Sequence, residues 1–398
     1  MSRKLIDLNE PLRRLRDDGY YIDIHAGYLI ARDIPYVNGQ GKVAHDGILA
    51  STLSLNGTTV NQPDDHTIKF AGDYPCHSDG RPLDGVRQGS ESLRLSERLA
   101  VNHSFSSKPP RGHYVDYYEK VNTYAAILSG HAAVLEPSAT AKTRRVSAPE
   151  DEDSPFAYID TASARAEINM VTRKLAVQKL AIVGLGGTGG YVLDLLSKTP
   201  AREIHLFDGD TFSSHNAFRA PGAASAEDLR KQPLKVDYFN DIYSRLHRGI
   251  VSHGEYVGAD NAEQLRGMDF VFLCADASSE KRTVVSKLEE FGVGFIDVGM
   301  GLYLKDETLG GIVRVTTSLP ENREVARGRM SFASDTHNNE YDKNIQIADL
   351  NCLNATLAVM RWKKLRGFYF DRTQERYNSF TVASNMLLNE DGPSPESG

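Results

Sequence analysis

The stretch "KLAIVGLGGTGGYVLDLLSKTPAREIHLFDGD", Lys179 to Asp210, decides the fold. It opens on an unbroken apolar run, passes through a glycine-dense turn, continues with apolar residues at helical spacing, and closes on a second apolar run that ends in acid. An apolar run without alternation is a strand buried on both faces, the situation of a parallel sheet covered by helices. The stretch is therefore one strand-helix-strand unit. Farther on, "DFVFLCAD" (Asp269 to Asp276), the helical "EKRTVVSKLEEFG" (Glu280 to Gly292) and the apolar "VGFIDVGMGL" (Val293 to Leu302) repeat the alternation. The expected fold is α/β, a Rossmann-like, mostly parallel sheet with helices on both faces.

The region before it has a different pattern. "YIDIH" (Tyr21 to His25) and "YLIAR" (Tyr28 to Arg32) alternate around an Ala-Gly turn, "GILASTLSLNGTTV" (Gly47 to Val60) straddles an Asn-Gly turn, and "HTIKFAGDYPCHSDGRPL" (His66 to Leu83) adds a strand. "YVDYYEKVNTYAAILSGHAAVL" (Tyr114 to Leu135) has helical spacing and suits a helix packed on that sheet. A smaller α+β domain at residues 1–140 results, followed by a linker at 141–160 that is rich in Ser, Pro, Ala and charge. The α/β domain occupies 161–375, and a C-terminal segment, 376–398, ends in the flexible tail "LLNEDGPSPESG".

Composition narrows the function classes. The chain has 398 residues, enough for two cores, with 40% hydrophobic and 25% charged residues and a formal net charge of -7. That balance does not ask for a nucleic-acid groove. Its cysteines, Cys76, Cys274 and Cys352, form no CxxC pair, so neither a disulfide framework nor a structural zinc site is expected, and a reducing, cytoplasmic setting fits. A charged start and the lack of any run of 18 apolar residues give no secretion signal or membrane span.

In "GLGGTGG", Gly184, Gly186 and Gly189 fill a G-x-G-x-x-G frame, with Gly187 inside it. Such glycines permit the turn, let backbone approach a phosphate, and aim the N–H groups of the next helix at the anion. Asp208 then stands where an acid reaches ribose hydroxyls. Nicotinamide oxidoreductases and ATP-using enzymes share this much. The continuation "LFDGDTFSSHNAFR" (Leu206 to Arg219) adds Asp210, Asn216 and Arg219, "KQPLKV" adds Lys235, and Asp276 closes "FLCAD". Arg and Lys neutralise a polyphosphate, and an acid at a strand end can carry Mg²⁺.

Together the frame "VGLGGTGG", "LFDGDTFSSHNAFR", "KQPLKV" and "FLCAD" resembles the ThiF/MoeB superfamily of adenylating enzymes, which includes the ubiquitin-activating enzymes. The Asp208-to-Asn216 and Asn216-to-Arg219 spacings of that family are kept, while Gly209, His215, Phe218 and Leu234 depart from its commonest residues. The resemblance covers roughly Arg165 to Arg372. It implies an enzyme that uses ATP and Mg²⁺ to adenylate a carboxylate, typically the C-terminal glycine of a ubiquitin-like or sulfur-carrier protein, with release of pyrophosphate. Carried over, it implies nucleotide contact by the loop glycines, Asp208 and Asp210, polyphosphate contact by Asn216, Arg219 and Lys235, and Mg²⁺ or nucleotide contact by Asp276. It also implies a homodimer, in which Arg165 or Arg173 is a candidate for the arginine that some members supply to the partner's site.

Members that carry their product to a thioester have a cysteine between the last strands and the final helix. Here "SLPENREVARGRMSFASDTHNNEYDKN" (Ser318 to Asn344) has none, so the reaction is expected to stop at the acyl-adenylate or pass to a nucleophile elsewhere. Cys76 is the candidate for that nucleophile, since it follows Tyr74-Pro75 in a loop beside His77, where an imidazole can lower its pKa. Cys274 reads as a buried strand residue and Cys352 as a helix residue. His66 and His77 have no second pair at metal-ligand spacing. Three other readings stay open: adenylation and dehydration of a carboxylate on a modified tRNA adenosine, a nicotinamide-dependent oxidoreductase, and a catalytically inactive binding scaffold.

Overall fold

The computed structural model describes residues 2–145, 154–276, 278–332 and 345–390. The chain divides into two compact units, one of residues 1–153 with 158–172, the other of residues 154–157 with 173–398. Part of the 141–160 linker, residues 146–153, lies outside the described residues.

The first unit opens with α1 (Ser2–Leu8), a helix the sequence reading did not include, and α2 (Glu10–Asp17). Strands β1 (Tyr21–His25), β2 (Tyr28–Val37) and β3 (Val43–Thr52) form a meander, then come the short β4 (Leu55–Asn56) and β5 (Thr59–Val60), then β6 (Thr67–Ala71). The β1–β2 turn, Ala26-Gly27, has φ of 52° and 79°, the positive pair that matches a two-residue hairpin to strand twist. Four more short strands follow, β7 (Arg87–Gly89), β8 (Leu93–Ser96), β9 (Leu99–Val101) and β10 (His103–Ser106). The main sheet is antiparallel with order β1-β2-β3-β6-β10-β7. The long helix α3 (Tyr117–Leu135), capped by the Asp116 carboxylate on the Glu119 amide, joins its core through Tyr117, Val121, Tyr124 and Leu128. The short α4 (Thr161–Arg165) and α5 (Asn169–Thr172) complete the unit. β2 runs past "YLIAR" to Val37, because Ile34, Tyr36 and Val37 keep pairing with β3 across a register shift.

The second unit begins with β11 (Lys179–Val183), α6 (Gly187–Leu196) and β12 (Glu203–Phe207), the strand-helix-strand unit expected of Lys179 to Asp210. After the short α7 (Ser214–Ala217) and α8 (Ala226–Lys231) come α9 (Lys235–Tyr243), β13 (Ile250–His253), β14 (Phe270–Leu273) and α10 (Ser279–Glu290). The remaining elements are β15 (Phe295–Lys305), β16 (Thr308–Ser318), α11 (Arg323–Arg329), α12 (Ala348–Leu365), β17 (Tyr377–Thr381) and β18 (Met386–Glu390). The sheet order is β13-β12-β11-β14-β15-β16-β17-β18, parallel from β13 to β15 and antiparallel beyond.

Burial explains the apolar runs. On β11, Leu180 and Ile182 enter a core with Leu193 of α6, Phe239 of α9 and Trp362 of α12, while Ala181 and Val183 enter a second core with Val284 and Leu288 of α10. Each face of the strand has its own helical cover, so no position is left for a polar residue. The chain leaves β11 toward β12 and β13, then returns to the other side for β14 and β15. That reversal opens a crevice at the strand ends between β11 and β14, where ligands of open α/β sheets sit. One expectation is corrected at the C-terminus: Leu387 to Glu390 of the supposed tail pair with β17 as β18, and the rest of that stretch, residues 391–398, falls outside the described residues.

Candidate active site

The glycines of the loop have two different reasons to be glycine. Gly184 has φ +90°, and a Cβ there would lie 2.9 Å from the Cys274 carbonyl oxygen. On Gly187 a Cβ would fall 1.9 Å from Asn351 Nδ2, and on Gly189 it would fall 1.9 Å from the Gly184 carbonyl oxygen. These three are bare because the protein packs against them. Gly186 is not: a Cβ there meets only Gln346 Oε1, at 4.0 Å, and the residue caps α6 while facing a cleft of about 1280 Å³. An α-carbon kept bare toward open space is the arrangement that lets a phosphate approach backbone N–H groups. Gly189→Ala is expected to destabilise the second unit by about 1–3 kcal/mol, as overpacking does. Gly186→Ala should leave the melting temperature unchanged and weaken nucleotide binding, a contrast that thermal unfolding and titration with an ATP analogue would read.

Around the loop the cleft collects Asp208, Asp210, Arg219, Lys235 and Asp276. Asp208, 5% exposed, accepts the Leu185 amide at 2.6 Å and the Asp210 amide at 2.9 Å, which ties the end of β12 to the glycine loop. Lys235 is the first residue of α9, and its Nζ lies 2.6 Å from Asp210 and 3.4 Å from Asp208. Burial works to raise the Asp210 carboxyl, but hydrogen bonds from Lys235 and Tyr256 outweigh it and hold it below its ordinary value. The same hydrogen bond to Asp210, with burial, pushes the Tyr256 phenol up to about 12. Arg219 is half-buried, and its Nε is enclosed with no hydrogen-bond partner among the described residues. Asp276 is exposed on the loop after β14.

Asn216 is placed differently from the expectation. It is 2% exposed, its Oδ1 accepts the Ser213 amide at 3.0 Å and the Ser213 hydroxyl at 2.9 Å, and it does not line the cleft. These bonds hold the turn that leads to Arg219, and its Nδ2 is buried with no hydrogen-bond partner among the described residues. Of the remaining candidates, Arg165 and Cys76 lie in the first unit and Arg173 in the second. Arg165, in α4, pairs with Asp64 at 3.2 Å. Cys76 is 4% exposed, and burial followed by the charge of Asp84 raises its thiol, the opposite of the lowering expected from His77. The His77 ring instead packs edge-on against His131, with centroids 4.5 Å apart. Iodoacetamide should therefore alkylate Cys76 far more slowly than an exposed thiol at pH 7 to 8, and mass spectrometry of the native protein checks this. In the second unit, burial and the nearby Asp297 push the Cys274 thiol far up.

Several residues of the site have no sequence motif to announce them. Asn351 of α12 accepts the Thr188 hydroxyl at 2.8 Å and donates to the Arg219 carbonyl at 3.2 Å, joining glycine loop, final helix and arginine turn. Lys281, also on the cleft wall, pairs with Asp297 at 2.6 Å, with side chains only 2% and 0% exposed. An acid inside the apolar run "GFIDVGM" and Asn residues at helical spacing with Ala355, Ala358 and Trp362 were the available signals. Among the described residues no group of three or more His, Cys, Asp or Glu side chains could hold a metal ion. A cation here would thus rely on Asp276 and on oxygens brought by a phosphate ligand, as Mg²⁺ does in nucleotide sites.

Comparison with known proteins gives two family matches. Residues 10–161 match the model described as "Domain of unknown function (DUF6791)", and residues 162–331 match the model of the ThiF family. No curated protein matches the chain. Similar solved structures include E. coli MccB with ATP (17% identity, TM-score 0.43, covering 60% of this chain and 73% of that one) and selenomethionine PaaA (18%, 0.41, 56% and 75%). The microcin C7 biosynthetic enzyme MccB in complex with N-formylated MccA is 19% identical, with a TM-score of 0.42, covering 59% of this chain and 70% of that one.

Proposed function

Since residues 162–331 form a ThiF family domain, we propose that the cleft binds ATP with Mg²⁺ and adenylates a carboxylate. The acceptor is the C-terminal glycine of a small ubiquitin-like or sulfur-carrier protein, the first unit serves as a module that recognises it, and the active form is a homodimer. The observation that carries this reading is the cluster of Gly186, Asp208, Arg219, Lys235 and Asp276 on one cleft at the strand ends.

In the reaction a carboxylate oxygen attacks the α-phosphorus of ATP, the bond from that phosphorus to the bridging oxygen breaks, and pyrophosphate leaves with the electron pair. No covalent enzyme group is needed, because positioning two anions and neutralising their charge supplies the rate. Each residue has a part. Asp208 keeps free lone pairs for ribose hydroxyls beside the amides it already accepts. Gly186 and the N-terminus of α6 receive phosphate oxygens. Arg219 directs its unsatisfied Nε–H toward the polyphosphate, and Lys235 exchanges one of its two carboxylate partners for a phosphate oxygen. Asp276 is the residue that would hold Mg²⁺, and the ion would supply charge neutralisation on the leaving pyrophosphate.

The test is ATP-pyrophosphate exchange. Exchange stimulated by a small protein ending in Gly-Gly supports the whole reading. Exchange that requires tRNA would replace the acceptor, and absence of exchange together with absence of ATP binding would remove adenylation altogether.

A further inference from the structure

The last turn of α12 and the loop behind it form a surface that the cleft does not use. Asn351, near the start of α12, lines the cleft, and the helix is 18 residues long, so its far end lies about 27 Å away. There the chain reads "KKLRGFYFDR", Lys363 to Arg372. Gly367 has φ +69°, its amide donates to the Lys364 carbonyl, and the Phe368 amide donates to the Lys363 carbonyl, the paired bonds of a glycine cap at a helix C-terminus. Lys174 Nζ donates to the Gly367 carbonyl at 2.8 Å, and Arg366 Nε to the Lys174 carbonyl at 3.4 Å. Farther along, Asp371 accepts Arg361 Nη1 at 2.7 Å and the Gln374 amide at 3.0 Å. The loop is pinned at both ends.

Between those pins two aromatic rings face water. Phe370 is 97% exposed and Tyr369 42%, while Phe368 packs back on the core with Lys363 Nζ 5.0 Å from its ring centroid. Packing does not account for Phe370, because a loop held this well buries none of it. The same stretch collects cations. Among the described residues none of Lys174, Lys363, Arg366 and Arg372 pairs with a carboxylate, since the acids beside them, Asp371 and Glu375, are taken by Arg361 and Lys364. A helix dipole explains cations in the last turn of α12, but not Arg372 beyond the rings or Lys174 from another part of the chain.

Unpaired cations around open rings fit a polymer that alternates anionic groups with flat apolar faces. An acidic protein surface supplies the anions without the flat faces, and a nucleic-acid duplex keeps its faces hidden in the stack. A single strand offers both in every nucleotide. We propose that this loop binds single-stranded nucleic acid, with bases stacked on Phe370 and Tyr369 and phosphates held by Lys174, Lys363, Arg366 and Arg372. The formal charge of -7 on the whole chain does not oppose this, because screening over about 8 Å leaves the local cations to decide. The site does not depend on the adenylation reading.

The test follows the fluorescence anisotropy of a labelled 12-nucleotide single strand of mixed sequence titrated with the full chain. Wild type should bind with Kd on the order of 10⁻⁴–10⁻⁶ M at physiological salt, and log K should fall against log salt with a slope of about −2.8, four phosphate contacts at ~0.7 each. RNA and DNA of one sequence should bind alike, because no sugar contact is involved. Phe370→Ala should weaken binding about fivefold or more and Phe370→Trp should keep it, the range expected for one stacked base. Arg366→Ala with Arg372→Ala should make the salt slope shallower by about 1.4. ATP-pyrophosphate exchange should be the same in Phe370→Ala as in wild type. Absence of binding by wild type, binding unchanged in Phe370→Ala, or a duplex or polyglutamate of equal charge bound as tightly as the single strand would overturn the proposal, as would a preference for phosphatidylserine vesicles over the oligonucleotide.

Discussion

Arg219→Ala lowers ATP-pyrophosphate exchange by about 10²–10³-fold without lowering the melting temperature, the loss seen when one preorganised donor to developing charge is removed. The structure gives both halves of this expectation. Arg219 reaches the cleft from a turn held by Asn216 and Ser213, and its side-chain Nε has no partner to lose among the described residues. The bond to Asn351 is made by its backbone carbonyl and survives the substitution. Asp276→Ala should be similarly inactive and similarly folded, because Asp276 is exposed. If both variants exchanged pyrophosphate at the wild-type rate, the site assignment would be wrong. Asn216→Ala should act indirectly: it frees the turn, so activity falls together with local order.

Lys281→Met destabilises the second unit by about 3–5 kcal/mol, the cost of leaving a buried charge without its partner. For a unit of this size that corresponds to a fall in melting temperature of about 2–4 °C per kcal/mol. Asp297 is fully enclosed, and burial already raises its carboxyl against the lowering influence of Lys281 and Arg314. Without Lys281 the carboxyl rises further. A group whose folded pKa is raised contributes its stability at low pH and loses it as pH climbs through that pKa. The variant should therefore be closest to wild type at acid pH and farthest from it near neutrality. Lys281→Met with Asp297→Leu should recover most of the loss, since an apolar pair of similar volume replaces a buried ion pair without a large penalty. Equal losses in the single and double variants would show that the pair is not what stabilises this wall.

Much of the second unit was legible because its signals are local. The unbroken apolar runs of β11, β12 and β14 follow from helices on both faces, and the glycine frame follows from a turn that must pass close to Cys274 and to its own carbonyl. Asp208, Arg219, Lys235 and Asp276 could be singled out because fixed spacing brings them to the strand ends. What could not be read depended on contacts far apart in sequence. Asn351 meets Thr188 and Arg219 across more than 130 residues, and Arg314 meets Gly299 only through β-ladder register. Asn216 shows a local ambiguity: its position in the frame suits a phosphate-binding role and a turn-capping role, its Oδ1 is used for the second, and its Nδ2 is buried with no hydrogen-bond partner among the described residues. Cys76 was misjudged because a neighbouring His in sequence implies nothing about burial, and its backbone is bridged to Val37 and Pro82. In β18, exposed Met386, Leu387 and Leu388 give no inward face to recognise, so the strand looked like a tail.

The most direct measurement of the central claim is the fate of ATP labelled at the α-phosphate, incubated with the protein, Mg²⁺ and a small protein ending in Gly-Gly. Adenylation predicts that the label moves to an acyl-adenylate and then to AMP, with pyrophosphate as the other product and with both lost in Arg219→Ala. Labelled ADP with free phosphate, or ATP that stays intact and unbound, would contradict it.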